Sequence, residues 1–191
     1  MVTTSPTTEN ETYTKIPTFK ILLWIAMVSM IMMFAGLTSG YIVRQAESNW
    51  QVFELPPIFY VSTALILLSS ISMQWAFSAI KKDNFQQLTI GLVITLGLGL
   101  AFAFTQFMSW SNLVENGIFF TGNPSGSFLY VLTGLHLLHL AGGMIFLMFV
   151  TTRSIQGKYS STDYLPVDLC TTFWHFLDGL WVYLFIFLLF S

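Results

Sequence analysis

The chain has 191 residues and a formal net charge of −2, and only 8% of its residues are Asp, Glu, Lys or Arg. Soluble domains carry about a quarter of charged residues, so this composition excludes a soluble enzyme and a disordered regulator. The absence of a basic excess also excludes a nucleic-acid-binding protein. Hydrophobic residues make up 54%, and the single Cys170 excludes a disulfide framework and a cysteine zinc site. An integral membrane protein remains.

The first 18 residues are polar and rich in Thr and Pro. They lack the basic start and the short apolar core of a cleaved signal peptide. We therefore expect residues 1–18 to form a flexible tail, followed by a transmembrane domain over residues 19–191.

Five long apolar runs follow the tail, at about 19–43, 57–80, 86–110, 128–152 and 169–190. Each has the ~20 residues that a helix needs to cross about 30 Å of hydrocarbon. Lipid offers the backbone no hydrogen-bond partner, so such runs fold as helices. The sequence predicts an all-α fold, an integral membrane bundle of five transmembrane helices. Pro56 and Pro57 precede the second run, Lys81 and Lys82 follow it, and a breaker-rich loop is expected at 117–126.

Basic residues predict the orientation of the bundle, because they favour the cytoplasmic side. With five spans, the N-terminal tail and the second and fourth loops share one side. The opposite side holds only Arg44. This asymmetry predicts a cytoplasmic N-terminus and a C-terminus outside. The basic residues of the first side are Lys15, Lys20, Lys81, Lys82, Arg153 and Lys158.

Four ionisable side chains stand inside the predicted spans: His136, His139, His175 and Asp178. Such residues are costly in hydrocarbon and therefore informative. Three interpretations are open: metal or haem ligation, proton or ion translocation, and a hydrogen-bonded cluster that fixes helix packing. The packing interpretation is favoured, because haem b sites usually place His on facing helices. Depth arithmetic places His139 and Asp178 at nearly the same depth in the membrane. It favours hydrogen bonding among His139, His175 and Asp178, and the alternative is a neutral Asp178 that bonds to a hydroxyl or a backbone carbonyl.

The small residues of the spans are interpreted as architecture. Glycines on the third and fourth spans are expected to allow close helix approach. Hydroxyls on the second span can bond to their own helix and need no function. The glycines are Gly91, Gly97, Gly99, Gly142 and Gly143, and the hydroxyls are Ser62, Thr63, Ser69, Ser70 and Ser72.

Two motifs in the last two spans carry a family resemblance. Residues 133–139 read TGLHLLH and are followed by Gly142 and Gly143, and residues 174–178 read WHFLD and are followed by Trp181. Together they resemble subunit III of the haem-copper terminal oxidases, the cytochrome c oxidase subunit 3 family, in its short five-helix bacterial form. Supporting matches are Phe34-Ala35-Gly36, Leu55-Pro56-Pro57, Ser62-Thr63, Leu67-Leu68-Ser69-Ser70, and Leu98-Gly99-Leu100-Ala101-Phe102 with Gln106 and Trp110.

This resemblance implies a non-redox subunit in the bacterial inner membrane. It implies contact with subunit I, subunit II and smaller oxidase subunits, stabilisation of subunit I, bound phospholipid, and support of oxygen reduction and proton pumping in aerobic respiration. Haem and copper belong to partner subunits, and this chain is expected to hold no catalytic residue, cofactor or metal. The His and Asp residues then keep their packing interpretation.

The electron donor is expected to be cytochrome c rather than quinol. The alternatives are subunit III of a quinol oxidase, a free-standing proton-coupled transporter that uses the His/Asp cluster, and a small haem b electron carrier.

The chain departs from the family pattern at two positions. The family often has Glu directly after a Ser in the first span, where Met30 follows Ser29 here. It often has a second Glu three residues after the Gln of the third span, where Ser109 stands here. The chain therefore lacks both carboxylates that the resemblance would supply for relaying protons.

Overall fold

The computed structural model describes residues 18–47, 50–51, 55–159 and 164–191. The predicted tail lies outside the described residues except for Thr18. Five helices follow one another: α1 (Thr18–Gln45), α2 (Ile58–Ile80), α3 (Phe85–Glu115), α4 (Pro124–Ile155) and α5 (Leu165–Phe190). All five are long and apolar enough to cross a membrane. The described ranges contain no strand, so the predicted all-α bundle of five spans is confirmed.

Four helices extend beyond the predicted spans, α1 by only one residue at its start and two at its end. α3 continues to Glu115, α4 begins at Pro124, and α5 begins at Leu165. Hydropathy marks the hydrocarbon-facing part of a helix, whereas the helix itself continues into the polar interface. The loop expected at 117–126 is therefore shorter in the structure, because α4 already begins at Pro124. Asn123 ends that loop, because its side-chain Oδ1 accepts the backbone N–H of Ser125 at 3.0 Å.

The breaker residues at the start of α4 act as a helix start rather than a helix break. Pro124 occupies the first turn, where a missing N–H costs nothing and the fixed φ suits the helix. Ser125 and Gly126 are already helical.

A tight turn joins α2 to α3. Asp83 adopts a left-handed conformation with φ 56°. Asn84 then caps α3, since its Oδ1 accepts the backbone N–H of Gln87 at 3.1 Å. The short connection makes the two helices antiparallel neighbours, and they form the most extensive helix pair of the bundle.

Two glycines of α3 allow its closest contacts. A Cβ built on Gly91 would lie 2.7 Å from the Cβ of Ala76, and one on Gly99 would lie 2.9 Å from the ring of Trp174. Close approach is confirmed there and also at Gly143, where a Cβ would lie 3.0 Å from Leu177. The same expectation is wrong for Gly97 and Gly142, because within the described ranges no atom beyond the adjacent backbone of their own helix lies within 4 Å of their Cβ positions.

α4 and α5 each pack against three other helices of the described bundle, α4 against α1, α3 and α5. α5 packs against α1, α2 and α4, whereas α1 packs only against α4 and α5. Two contacts set α1 and α5 parallel. At one end Lys20 Nζ lies 2.6 Å from Asp168 Oδ2. At the other end the Gln45 side-chain amide donates to the backbone oxygen of Ser191 at 2.5 Å. The first and last helices therefore run in the same direction.

Candidate functional site

The second family-like motif lies on α5 and faces α2. The indole N–H of Trp174 donates to Ser69 Oγ at 3.0 Å. About two turns further along, the indole N–H of Trp181 donates to Thr63 Oγ1 at 3.1 Å. Both rings are fully buried. These two contacts hold α5 against α2 over about 10 Å along the helix axis, and we name the surface the α2/α5 seam. It comprises Thr63, Ser69, Ser70 and Gln74 on α2 with Trp174, His175, Asp178 and Trp181 on α5.

His175 lies at the outer edge of the α2/α5 seam. Its Nδ1 is 2.6 Å from Ser70 Oγ, and its Nε2 is 3.2 Å from Gln74 Oε1. Both ring nitrogens therefore have partners on α2. Because both nitrogens of the imidazole contact α2, neither of them is free to bind a metal.

Asp178 also belongs to the α2/α5 seam. It is 3% exposed, and its carboxyl oxygens have no hydrogen-bond partner among the described residues. The group that faces the carboxyl is the hydroxyl of Ser70, although the contact falls outside hydrogen-bonding geometry. His175 and Asp178 are three residues apart on α5, and both side chains therefore face the hydroxyl of Ser70.

The first family-like motif lies on α4 and faces α3. Thr133 Oγ1 accepts the indole N–H of Trp110 at 3.1 Å and donates to the carbonyl of Leu129 at 2.8 Å. A Cβ on Gly134 would touch the same indole ring at 3.9 Å. Thr133 and Gly134 therefore both contact the indole ring of Trp110, the first by a hydrogen bond and the second by leaving space for the ring.

The two histidines of this motif have different surroundings. His136 is fully buried, with its ring centroid 5.0 Å from that of Trp181 and 5.9 Å from that of Phe102. Neither of its nitrogens has a hydrogen-bond partner within the described part of the chain, and the same holds for the buried side-chain amide of Gln106. His139 Nδ1 lies 2.7 Å from the carbonyl of Leu135.

The predicted four-residue cluster is thus distributed over three contacts. His175 and Asp178 meet at Ser70 on α2. His139 packs against α1, with its ring centroid 5.9 Å from that of Phe34. His136 occupies the aromatic core. Within the described ranges, no hydrogen bond joins any two of these four side chains. Their role in helix packing stays a prediction, and in this structure it would act through their contacts with other residues.

Sequence reasoning missed the hydroxyls that receive these contacts. Thr63 and Ser69 do bond to their own helix, as expected, through the carbonyls of Phe59 and Ile66. The same oxygens also accept the tryptophan N–H groups of α5. The signal was present as two hydroxyl pairs, 62–63 and 69–70, spaced like Trp174 and Trp181. Further hydroxyl pairs join α2 to α3 and α3 to α4: Ser62 with Thr105, Ser72 with Thr95, and Thr89 with Ser154.

No group of three or more His, Cys, Asp or Glu side chains stands close enough to hold a metal ion in the portion of the chain that the structure describes. The arrangement fits helix packing, because His175 and the three indole N–H groups described above pair with polar side chains of a neighbouring helix. The buried side chains of Gln106, His136 and Asp178 have no hydrogen-bond partner within the described ranges. Ion pairs lie at the ends of α1, where Lys20 meets Asp168 and Arg44 meets Glu47.

Comparison with known proteins places these contacts in a family. The family model for cytochrome c oxidase subunit III matches residues 12–191. A probable cytochrome c oxidase subunit 3 of Nocardia farcinica is 32% identical over 169 residues, covering 86% of this chain and 82% of the relative. A protein of Mycobacterium bovis with the same description is 28% identical over 173 residues, with the same coverage. A cytochrome c oxidase subunit 3 of Bacillus sp. (strain PS3) is 25% identical over 167 residues, covering 85% and 80%. This chain belongs to the cytochrome c oxidase subunit III family.

Proposed function

We propose that this chain is the non-redox subunit III of a bacterial haem-copper oxidase, a cytochrome c oxidase of the aerobic respiratory chain. The observation that carries the proposal is the family match over residues 12–191, which includes both motifs. Oxygen reduction would take place in subunit I, and this chain would contribute no catalytic residue, haem or metal ligand.

The proposed contribution is mechanical support of subunit I. The interhelical contacts support this role, because buried or half-buried side-chain hydrogen bonds join all five described helices, with α1 joined to α5 through Thr38 and Tyr183 at 3.0 Å. Such bonds contribute about 1 kcal/mol each within a membrane. A bundle held in this way offers a partner a fixed surface. We also propose that its apolar outer surface retains phospholipid at the border with subunit I.

The proposed support of proton pumping is indirect. Met30 and Ser109 stand where the resemblance would place carboxylates. The remaining intramembrane carboxyl, Asp178, is buried against α2. This chain would therefore sustain proton uptake by holding subunit I in shape rather than by carrying protons.

The test is purification of the tagged chain from its host in mild detergent, with partners identified by mass spectrometry and a reduced-minus-oxidised spectrum. We expect a haem- and copper-containing oxidase to accompany the chain. Purification of the chain with no haem protein would overturn the proposal. The purified complex should oxidise reduced cytochrome c, and a complex that oxidises only quinol would show that the donor is wrong while the subunit assignment stands.

A further inference from the structure

Two polar side chains in the interior of the bundle lack partners on adjacent helices. Gln106 on α3 and His136 on α4 are both fully buried. The amide nitrogen and oxygen of Gln106 and both ring nitrogens of His136 have no hydrogen-bond partner among the described residues. Buried polar groups are almost always hydrogen-bonded, to protein or to ordered water, because an unpaired one is costly. These four atoms therefore indicate a partner that the described chain does not supply.

Gln106 and His136 lie at nearly the same height on antiparallel helices. Three contacts define the register of α3 against α4, and each step of 10 or 11 residues along α3 matches an equal step back along α4. Gln106 is thereby level with Leu137, and His136 differs from it in height by only about 1.5 Å. The three contacts are Thr89 with Ser154, the Cβ position of Gly99 with Met144, and Trp110 with Thr133.

Aromatic rings enclose the region between the two side chains. Phe102 precedes Gln106 by about one turn on the same face of α3, and its ring centroid lies 5.9 Å from that of His136. The ring centroid of Trp181 lies 4.8 Å from that of Phe102 and 5.0 Å from that of His136. Both aromatic side chains are fully buried. Gln106 and His136 therefore belong to one enclosed part of the core.

The donors of the neighbouring tryptophans are already engaged. The indole N–H of Trp181 donates to a threonine of α2, and that of Trp110, one turn beyond Gln106, donates to Thr133. Neither N–H is available to the amide or to the imidazole. No hydrogen bond joins Gln106 directly to His136 either, since all four polar atoms are unpaired within the described ranges.

We propose that Gln106 and His136 hold an internal water molecule that bridges α3 and α4. Two polar groups at matched height without a direct hydrogen bond form the arrangement that a bridging water satisfies. The amide carries donor and acceptor sites, and the neutral imidazole carries one of each, so that a water can bond to both. A lipid chain offers no hydrogen bond, and a buried ion would need a counter-charge that neither neutral side chain provides. The inference goes beyond the proposed function, because it concerns only the interior of this chain.

A density map of the whole complex, purified in mild detergent with the full chain, tests the site directly. The map is taken to a resolution at which ordered waters bound to surface polar groups are visible, so that those waters serve as an internal control. We expect one compact density within about 2.7–3.2 Å of a polar atom of Gln106 and of one of His136. A direct bond between the two side chains, an elongated density, or no density between them would overturn the proposal.

Substitutions test whether the two side chains depend on each other. Gln106→Leu and His136→Leu each remove one partner of the water and leave the other buried side chain unpaired. We expect each to lower the temperature at which the complex loses this chain by about 2–4 °C. The double variant leaves neither group unpaired, so its shift should be smaller than the two single shifts together. Gln86→Leu, the same substitution at an exposed position of α3, should leave the midpoint unchanged.

His136→Gln separates the polar role of the imidazole from its packing. This variant keeps a donor and an acceptor at position 136, so it should retain the density and most of the stability that His136→Leu loses. In the map of the Gln106→Leu complex the density should be absent, whereas the bond between Trp110 and Thr133 should remain. Equal losses of stability for His136→Gln and His136→Leu, or single shifts that simply add in the double variant, would contradict the water site.

Discussion

Two hydroxyl groups of α2, those of Ser69 and Thr63, each bond to two helices at once. Ser69 donates its hydrogen to the carbonyl of Ile66 and accepts the N–H of Trp174, and Thr63 does the same between Phe59 and Trp181. A hydroxyl carries one donor and two acceptor sites, so neither bond competes with the other. The large buried indoles are thereby satisfied without a charged group in the membrane.

Removing one of these hydroxyls leaves a buried donor without a partner. We expect Ser69→Ala to destabilise the subunit by ~1–3 kcal/mol, because the N–H of Trp174 stays fully buried. Ser78→Ala is the matched control, since the Ser78 hydroxyl bonds only to the carbonyl of Gln74 in its own helix. Thermal unfolding of the purified complex, followed by loss of this chain from it, checks the difference. Equal midpoints for the two variants would show that the indole bond contributes nothing.

Asp178 gives a second test at this scale. Asp178→Asn keeps a polar group facing the hydroxyl of Ser70, whereas Asp178→Ala removes it and leaves a cavity in the α2/α5 seam. We expect Asp178→Ala to loosen association of the chain with the oxidase more than Asp178→Asn does. The measure is the ratio of this chain to haem after detergent extraction. Identical ratios for both variants would exclude a structural role for the carboxyl.

The residues of the site could be identified from sequence more easily than their partners. Asp178 and the three histidines are conspicuous because ionisable groups are rare in spans. Their depth in the membrane also follows from the sequence. The direction in which each side chain points depends on how the helices are rotated about their axes, and this rotation is set by packing. A prediction from depth alone therefore places His139 beside Asp178. In the structure, the rotation of the helices directs His139 towards α1 and Asp178 towards α2.

At the scale of whole helices, the close packing of α2 against α3 depends on a glycine, which has no side chain to separate the two backbones. Gly91 lies against Ala76, where a Cβ would be 2.7 Å from the Ala76 Cβ and 3.1 Å from its Cα. Backbone atoms cannot move aside as a flexible side chain can. The two helices can therefore lie this close together only because residue 91 has no Cβ methyl group.

Gly91→Ala is expected to separate α2 from α3 and to destabilise the chain by ~1–3 kcal/mol, as overpacking does elsewhere. Gly97→Ala, in the same helix, meets no atom within 4 Å and should be neutral or slightly stabilising, since Ala favours helix more than Gly. The readout is the temperature at which each purified variant complex loses this chain. A Gly91→Ala complex as stable as the Gly97→Ala complex would contradict the close contact.

Helix number follows from the sequence here, and helix ends follow only in part. The start of α2 near Pro57 and its end at Ile80 agree with the prediction because proline and lysine mark them. The end of α3 does not, since Ser111, Asn112 and Glu115 are polar yet helical. Polar residues at the interface are compatible with both helix and loop, and local hydrogen bonding such as the Asn123 cap decides between them.

For the molecule as a whole, the basic residues collect at one end of the bundle. The start of α1, the end of α2, the end of α4 and the start of α5 all lie there, as the Lys20–Asp168 pair and the Thr89–Ser154 bond indicate. The described basic residues at this end are Lys20, Lys81, Lys82, Arg153 and Lys158, against Arg44 at the other end.

This asymmetry predicts that the crowded end faces the cytoplasm. Alkaline phosphatase fused after Ser191 should be active, because it would reach the periplasm. The same enzyme fused after Lys82 should be inactive, and a cytoplasm-active reporter at that position should work. The opposite pattern would reverse the orientation of every span.

Removal of the whole chain tests its supporting role. An oxidase depleted of this subunit should keep its haems and begin with substantial oxygen consumption, because the redox centres would lie in other subunits. It should then lose activity during turnover faster than the complete enzyme, measured as oxygen consumed before inactivation. Immediate and complete loss of oxygen reduction in a core with intact haem spectra would instead indicate a direct catalytic part.

The contacts of α1 have a consequence for biosynthesis. This helix meets only α4 and α5 within the described bundle, and about 80 residues separate its end from the start of α4. At translation rates of about 5–20 residues per second, α1 waits roughly 4–16 s in the membrane before its first partner emerges from the ribosome. During that interval its apolar surface is open to chaperones, insertases and proteases. A nascent chain that stalls before α4 would therefore hold α1 in the membrane without either of the helices that it packs against.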